Sequence, residues 1–326
     1  QAVSVLGGTT TLRNSELRTR GRSGHGLYAE GSGTPAPVAN AHAIDILTEG
    51  DGAIGAIVRR GGSVHLADSA VRTTGVNAHG VLSGGTGEMS LTNTHVRTEG
   101  EGAWAAVIND NGRMQIDGGS LVSAQHGGMW LRGSRDAGLT LGNGAMLSGG
   151  NGTALALDAA VSGRFDVRLE NGAQMYGDIV ITPEDLENGL VPQSQVQVSL
   201  ADGSNWWGSS DLVEQMALEG GSQWTLRGNA SVGELSLRDS TVALSDGRAA
   251  VGNTLTVEGD LHGEGGTFVF HGALAGDDTV IDRLHVRGDT TGDASLRVQN
   301  VGGVGAPTED GNQLIQVDGA SLASYA

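Results

Sequence analysis

Leu17-Arg18-Thr19, Ile46-Leu47-Thr48, Val71-Arg72-Thr73, Val96-Arg97-Thr98, Leu121-Val122-Ser123 and Met146-Leu147-Ser148 are one motif met six times. After the first step the copies return at a constant interval, about 25 residues, inside the range of repeat architectures. Upstream of the later copies stands a second apolar pair, as in Val64-His65-Leu66, Met89-Ser90-Leu91, Met114-Gln115-Ile116 and Leu139-Thr140-Leu141. These alternate as a strand with one buried face does. Downstream comes a glycine corner and a third apolar patch, such as Gly52-Ala53-Ile54-Gly55-Ala56-Ile57-Val58 or Gly102-Ala103-Trp104-Ala105-Ala106-Val107-Ile108. Three short strands per repeat follow. A period of this length marks a solenoid, and no helix-period stripe competes with it. The reading is an all-β chain, a right-handed parallel β-helix (β-solenoid) of about 25 residues per coil. A propeller is the rival, but its blades need about 40 to 45 residues. Roughly a dozen coils spaced about 4.8 Å apart predict a rod on the order of 60 Å long.

Composition agrees with that reading. The 326 residues include 56 Gly and 5 Pro, many turn formers without a proline-rich linker, and aromatics are only 3%. The core is therefore expected to be narrow and built from Ala, Val, Leu and Ile. The formal charge is −18 and every basic residue is arginine. A polyanion would meet net repulsion and find no basic stripe, so nucleic acid is excluded as a partner. Acidic excess also favours a soluble monomer. Cysteine is absent, so the stack must hold itself together without disulfides. No charged start leads into an apolar h-region, and no apolar run of about 18 residues or more occurs. Gln1 therefore reads as the start of a mature chain or as an artificial start.

The pattern loosens after Gly177-Asp178-Ile179-Val180-Ile181. The reading divides the chain into β-helix repeats over 1–181, irregular coils or a projecting loop over 182–222, and a C-terminal β-helix core over 223–326. The middle stretch holds Pro183, Pro192, Glu184-Asp185 and Asp202-Gly203-Ser204-Asn205-Trp206-Trp207.

Alternation returns in Gln223-Trp224-Thr225-Leu226-Arg227-Gly228-Asn229-Ala230-Ser231-Val232-Gly233-Glu234-Leu235-Ser236-Leu237, then Thr254-Leu255-Thr256-Val257 and Gly266-Thr267-Phe268-Val269-Phe270. Asp282-Arg283-Leu284-His285-Val286-Arg287-Gly288-Asp289 and Leu296-Arg297-Val298-Gln299-Asn300 follow. In this order the stretch resembles the C-terminal part of pertactin-like bacterial autotransporter passengers. The resemblance covers about a hundred residues; the first half matches only in periodicity and glycine punctuation. It implies a passenger sent across the outer membrane to the bacterial surface or beyond, a β-barrel translocator of its own in the precursor, and C-terminal coils that fold first and template the rest. It further implies a virulence-type role, adhesion or serum resistance, with a host protein as partner, either a cell receptor or a soluble complement or serum regulator.

Several residues stand out as candidate partner contacts. Arg287-Gly288-Asp289 spells the cell-attachment tripeptide, although Gly-Asp after Leu284-His285-Val286 is also an ordinary turn. Trp206 and Trp207 are adjacent on a strand and so point to opposite faces, which keeps both rings from entering one core. Arg72 and Arg97 are expected to stack as an outward ladder, joined by Arg18, with Glu99 and Glu101 as balancing acids. Trp104 and Trp130 read as shape fillers or wall residues. Loops at 182–215 and 31–40, or the stacked walls, are the expected binding positions.

An enzyme is not expected. A β-helix hydrolase needs paired carboxylates on one wall, and Asp110 and Asp277-Asp278 lie in turn sequences instead. A lyase needs a strong base, and no lysine occurs. No Gly-x-Ser-x-Gly elbow or Gly-Asp-Ser-Gly sequence is present. The nine His lack zinc spacing and no calcium loop is found, so neither metal nor cofactor is expected. A polysaccharide-active enzyme and an inert spacer are the alternatives to a binding protein.

Overall fold

The computed structural model describes residues 1–31, 34–133, 135–248, 251–273, 275–277, 279–305 and 307–325. It is nearly all β, with parallel strands stacked as a solenoid, and divides into two compact units. The first holds Gln1–Arg168 with Ala173–Gln195; the second holds Leu169–Gly172 with Val196–Ala326.

In the first unit each coil crosses three walls. The first wall stacks Leu27–Glu30, Ala56–Arg59, Val81–Gly84, Ala106–Asn109 and Met129–Arg132 in parallel register. The second carries the inward pairs Val64 and Leu66, Met89 and Leu91, Met114 and Ile116, Leu139 and Leu141, all buried. The third carries the repeat motif itself, with Ile46, Val71, Val96 and Leu121 inward. Each fully buried aliphatic side chain of this kind contributes about 2 kcal/mol, and the repeat multiplies that gain coil by coil.

The second and third walls meet at a bend that needs left-handed backbone. Asn14, Ala43, Asp68, Asn93, Gly118 and Asn143 occupy it in successive coils, with φ of 47°, 53°, 49°, 45°, 73° and 51°. Asn, Asp and Gly tolerate that conformation; Ala does not. The third wall ends at a corner closed by glycines. A β-carbon on Gly75 would lie 2.2 Å from the Gly50 carbonyl oxygen, and one on Gly100 would lie 1.8 Å from that of Gly75. Just before the corner, inward Thr48, Thr73, Thr98 and Ser123 form a buried hydroxyl ladder. Thr48 donates to the Ala53 carbonyl at 2.8 Å and Thr98 to that of Ala103 at 2.8 Å, while Thr73 donates to that of Ala78. The third motif position is therefore a polar staple inside an apolar core.

The second unit opens with shorter coils. Asn205–Trp207 pairs in parallel with Gln223–Thr225, and that strand with Thr241–Ala243; positions 267–269 and 295–297 continue the stack. Residues 182–222, expected to be irregular, contain a one-turn helix, Pro183–Glu187, and the strands Gln193–Leu200, Asn205–Trp207 and Val213–Leu218. The one long stretch of it outside strands is 182–192. A template with the period of the first unit cannot find these shorter coils, which is why this region looks patternless. The interior is filled by larger groups: Trp206 stacks on Trp224 with ring centroids 5.1 Å apart and planes within 3°, and Val242 and Phe268 continue the column. Buried Trp224 donates its indole N–H to the Gly208 carbonyl at 2.9 Å, meeting the requirement of a buried indole for a partner.

Candidate binding surfaces

The segment 182–192 projects from the first unit on a defined framework. Thr182 donates its hydroxyl to Asp185 at 2.7 Å, and the same carboxylate oxygen accepts the Ala159 N–H at 2.8 Å. The Leu190 N–H closes the loop onto the Asp185 carbonyl at 2.8 Å. The short helix thus begins at Pro183, whose missing N–H costs nothing at a first helical turn, and is stapled to the neighbouring corner. What it presents is apolar. Leu186, Leu190 and Val191 are 64%, 49% and 63% exposed, a concentration of large aliphatic groups on a chain of net charge −18.

A second surface lies on the second unit. Trp206 is wholly buried and so presents no surface to another molecule, which corrects its place among the contact candidates; the strand's alternation turns Trp207 outward instead. Trp207 heads an outward row that continues through Thr225, Ala243 and Val269 to Arg297. The three middle side chains are short and almost fully buried, at 4%, 5% and 7% exposed. They floor a trough of about 530 Å³. Gln223 and Thr241 line one side, and Asp246 and His271 line the other.

The arginine ladder is formed as the repeat dictates. Arg72 and Arg97 face each other in register and share Glu99, which takes both Nε at 3.0 Å and Nη2 at 2.8 Å of Arg72 and Nε of Arg97 at 3.2 Å. The Arg72 guanidinium holds the Glu99 carboxyl below its ordinary range. Arg18 is separated from Arg72 by Leu47 in the intervening coil and pairs with Glu49. The ladder is therefore two rungs, not three.

The tripeptide forms a corner at the end of Arg283–Val286. Arg287 reaches Glu258 at 2.6 Å. A β-carbon on Gly288 would lie 2.4 Å from the Gly259 carbonyl oxygen. The Asp289 N–H donates to the preceding coil's Asp260 carboxylate at 2.8 Å, and the Asp289 carboxylate accepts the Ala320 N–H of the next coil at 2.7 Å. Gly259-Asp260 and Gly288-Asp289 are thus the same corner in successive coils. Asp289 and the Arg287 side chain are nonetheless exposed.

Three features escaped sequence reasoning. On the first wall of the first unit, Ile57, Leu82 and Val107 point outward yet are 1%, 5% and 1% exposed, because Ile54, Trp104 and Trp130 fold over them. Trp104 and Trp130 stack at 5.8 Å, with Arg132 4.2 Å above the Trp130 ring. The Trp104 N–H donates to His79 Nδ1 at 3.2 Å. Burial, reinforced by Arg132 and His126, pushes His79 down to about 4. The uninterrupted apolar run 103–108 was the available signal, since a strand buried on both faces reads that way.

The second feature is a buried polar knot in the second unit. Asp282, with no exposed surface, accepts the Ser245 hydroxyl at 2.6 Å and the His271 backbone N–H at 2.8 Å on one oxygen, and the Gly252 and Asn253 backbone N–H groups at 2.8 and 3.0 Å on the other. Serine, histidine and aspartate meet here: the Ser245 hydroxyl also lies 3.1 Å from His271 Nδ1, and the Asp282 oxygen that accepts it stands 3.5 Å from the same ring nitrogen. The knot anchors the excursion between strands 241–243 and 254–257. The third feature is Asp277, which caps the Glu309, Asp310 and Gly311 N–H groups at 2.9, 3.3 and 3.0 Å and is held below its usual range by them. Its neighbour Asp278 and residues 32–33 of the 31–40 loop lie outside the described residues. Asp110 takes left-handed backbone in a turn, at φ 54°.

Known proteins similar to this chain are of one kind. Residues 230–326 match the family described as Autochaperone Domain Type 1. The chain is 27% identical over 314 residues to the BrkA autotransporter of Bordetella pertussis, covering 91% of this chain and 27% of that protein. It is 31% identical over 179 residues to the probable autotransporter YfaL of Escherichia coli, covering 54% of this chain and 14% of that protein. It is 37% identical over 79 residues to the autotransporter adhesin AIDA-I of Escherichia coli, covering 24% and 6%. The chain thus spans only a small part, at most 27%, of the length of these curated relatives. The autochaperone match over the C-terminal coils and the autotransporter relatives support an autotransporter passenger domain and indicate translocation across the outer membrane to the cell surface or the extracellular space.

Proposed function

We propose that this passenger works by binding a host protein, a cell receptor in adhesion or a soluble serum regulator in immune evasion, and not by catalysis. The observation that carries the reading is the projecting segment 182–192. Folding alone gives no reason to hold Leu186, Leu190 and Val191 in water on a stapled loop. Contiguous exposed aliphatic groups rimmed by acids, here Glu184 and Glu187, are the usual anchor of a protein interface. The name of AIDA-I, an adhesin, is consistent with that role. The translocating β-barrel of the precursor and C-terminal coils that template the rest belong to the same proposal.

Arg72, Arg97 and the Arg287-Gly288-Asp289 corner are accessory contacts in this reading, since each arginine is already paired within its own wall. The test is capture of epithelial membrane and serum proteins by the intact chain, by Leu186→Ser/Leu190→Ser/Val191→Ser, and by Asp289→Glu. A specific partner lost with the triple serine variant and kept with Asp289→Glu is the expected result. A partner lost only with Asp289→Glu would move recognition to the tripeptide, and no specific partner would leave an inert spacer.

A further inference from the structure

We propose that the trough between Trp207 and Arg297 is a subsite for an oligosaccharide bearing a single carboxylated sugar, such as a glycan chain on a host surface; this rests on the reading that the passenger meets such surfaces. Size decides first between ligand classes. A stable protein interface needs roughly 800 Å² of fairly flat surface from each partner, whereas a depression of about 530 Å³ lies in the range that encloses small ligands. The second argument is shape. Trp207 and Arg297 stand four rungs apart in one outward row, roughly 19 Å at the spacing of paired strands. Thr225, Ala243 and Val269 between them are too short to fill the gap. An extended ligand a few rings long fits along that row.

The third argument is chemistry. The flat apolar indole of Trp207 suits the C–H face of a sugar ring. Gln223 and Thr241 along one side supply amide and hydroxyl groups that both donate and accept, as sugar hydroxyls require. Gln223 donates to Thr225 at 2.9 Å, which orients the amide. At the far end Arg297 is exposed, and among the described residues its guanidinium has no ion pair. A guanidinium fork matches a carboxylate. Asp246 and Arg248, which also line the trough, offset each other in charge, and the net charge of −18 opposes a heavily charged polyanion, which favours a ligand with one acidic group. Affinity is expected to be modest and multiplied by repeated display.

The experiment is titration of the intact chain with sialyllactose, a carboxylated trisaccharide, and with neutral lactose, alongside binding of the same chain to epithelial cells. Saturable binding of sialyllactose is expected, weakened at least ten-fold by Trp207→Ala and by Ala243→Met, which fills the floor without removing a contact group. Arg297→Gln is expected to reduce sialyllactose to the level of lactose. An unchanged unfolding midpoint verifies that each variant is folded. Absence of sugar binding while cells are still bound overturns the subsite and leaves the host-binding reading standing. Sugar binding indifferent to Trp207→Ala and Arg297→Gln overturns the assignment to this trough, and a protein partner lost with Trp207→Ala in the absence of sugar binding replaces the glycan by a protein.

Discussion

Ala43 occupies the left-handed bend that Asn14 and Asn93 fill in other coils, at φ 53°. A β-carbon there costs about 1 kcal/mol or more, and an asparagine side chain offsets part of it by local hydrogen bonding. Ala43→Asn is therefore expected to raise stability by about 1 kcal/mol, seen as a higher denaturant midpoint at constant slope. Thr48→Val keeps the shape of the buried staple and removes its hydroxyl donor to Ala53; a loss of about 1 to 2 kcal/mol by the same measurement is expected. His79 gives a pH signature. Its folded-state value is lowered to about 4 from an ordinary 6.5 by burial, so the fold holds the neutral ring and the unfolded chain binds the proton more readily. Stability from this group is complete above pH 6.5 and declines as pH falls toward 4, by on the order of 3 kcal/mol in total. Denaturation at a series of pH values checks this, and His79→Gln should flatten the decline in that window. A wild-type profile already flat between 6.5 and 4 would contradict the burial argument.

At the scale of elements, the repeating coils of the first unit were legible because their length is constant. Val64 and Leu66, Met89 and Leu91, and Met114 and Ile116 recur in register and do point inward. The shorter coils of the second unit broke that template, so the strands around Trp206 and Trp224 were hidden. Alternation said that Trp206 and Trp207 oppose each other but carried no sign of which turns inward; the stacked partner Trp224 decides it. The Asp282 knot had no signature at all, since Ser245, His271 and Asp282 are brought together only by the return of the chain after a long excursion. That knot lies within the autochaperone match and is expected to govern the second unit's stability. Asp282→Asn turns an amide N–H toward groups that are themselves donors, and a loss of about 3 kcal/mol is expected. A change below about 0.5 kcal/mol would show that the four hydrogen bonds do not hold the excursion.

For the molecule as a whole, sequence reasoning looked for function on presented surface and named the stretch that projects, but it could not see which residues face water. Leu186, Leu190 and Val191 look like any three aliphatic residues in a loop until the Thr182, Asp185 and Ala159 bonds show how they are held out. Conversely, the residues most conspicuous in the sequence are partly committed to the fold: Asp289 caps a neighbouring coil and Arg72 shares Glu99 with Arg97. Exposed pairs of this type contribute little to stability, about 0 to 1 kcal/mol. The Glu49 carboxyl is held at about 2 chiefly by its hydrogen bond to Arg18. The most direct measurement is an equilibrium binding curve of the intact, labelled chain on epithelial cells, with and without serum, beside the Leu186→Ser/Leu190→Ser/Val191→Ser variant at matched stability. A saturable curve for the natural chain, competed by unlabelled chain and weakened at least ten-fold by the three serines, is the expected result. A linear, non-competable signal identical for both proteins would contradict a binding role for this passenger.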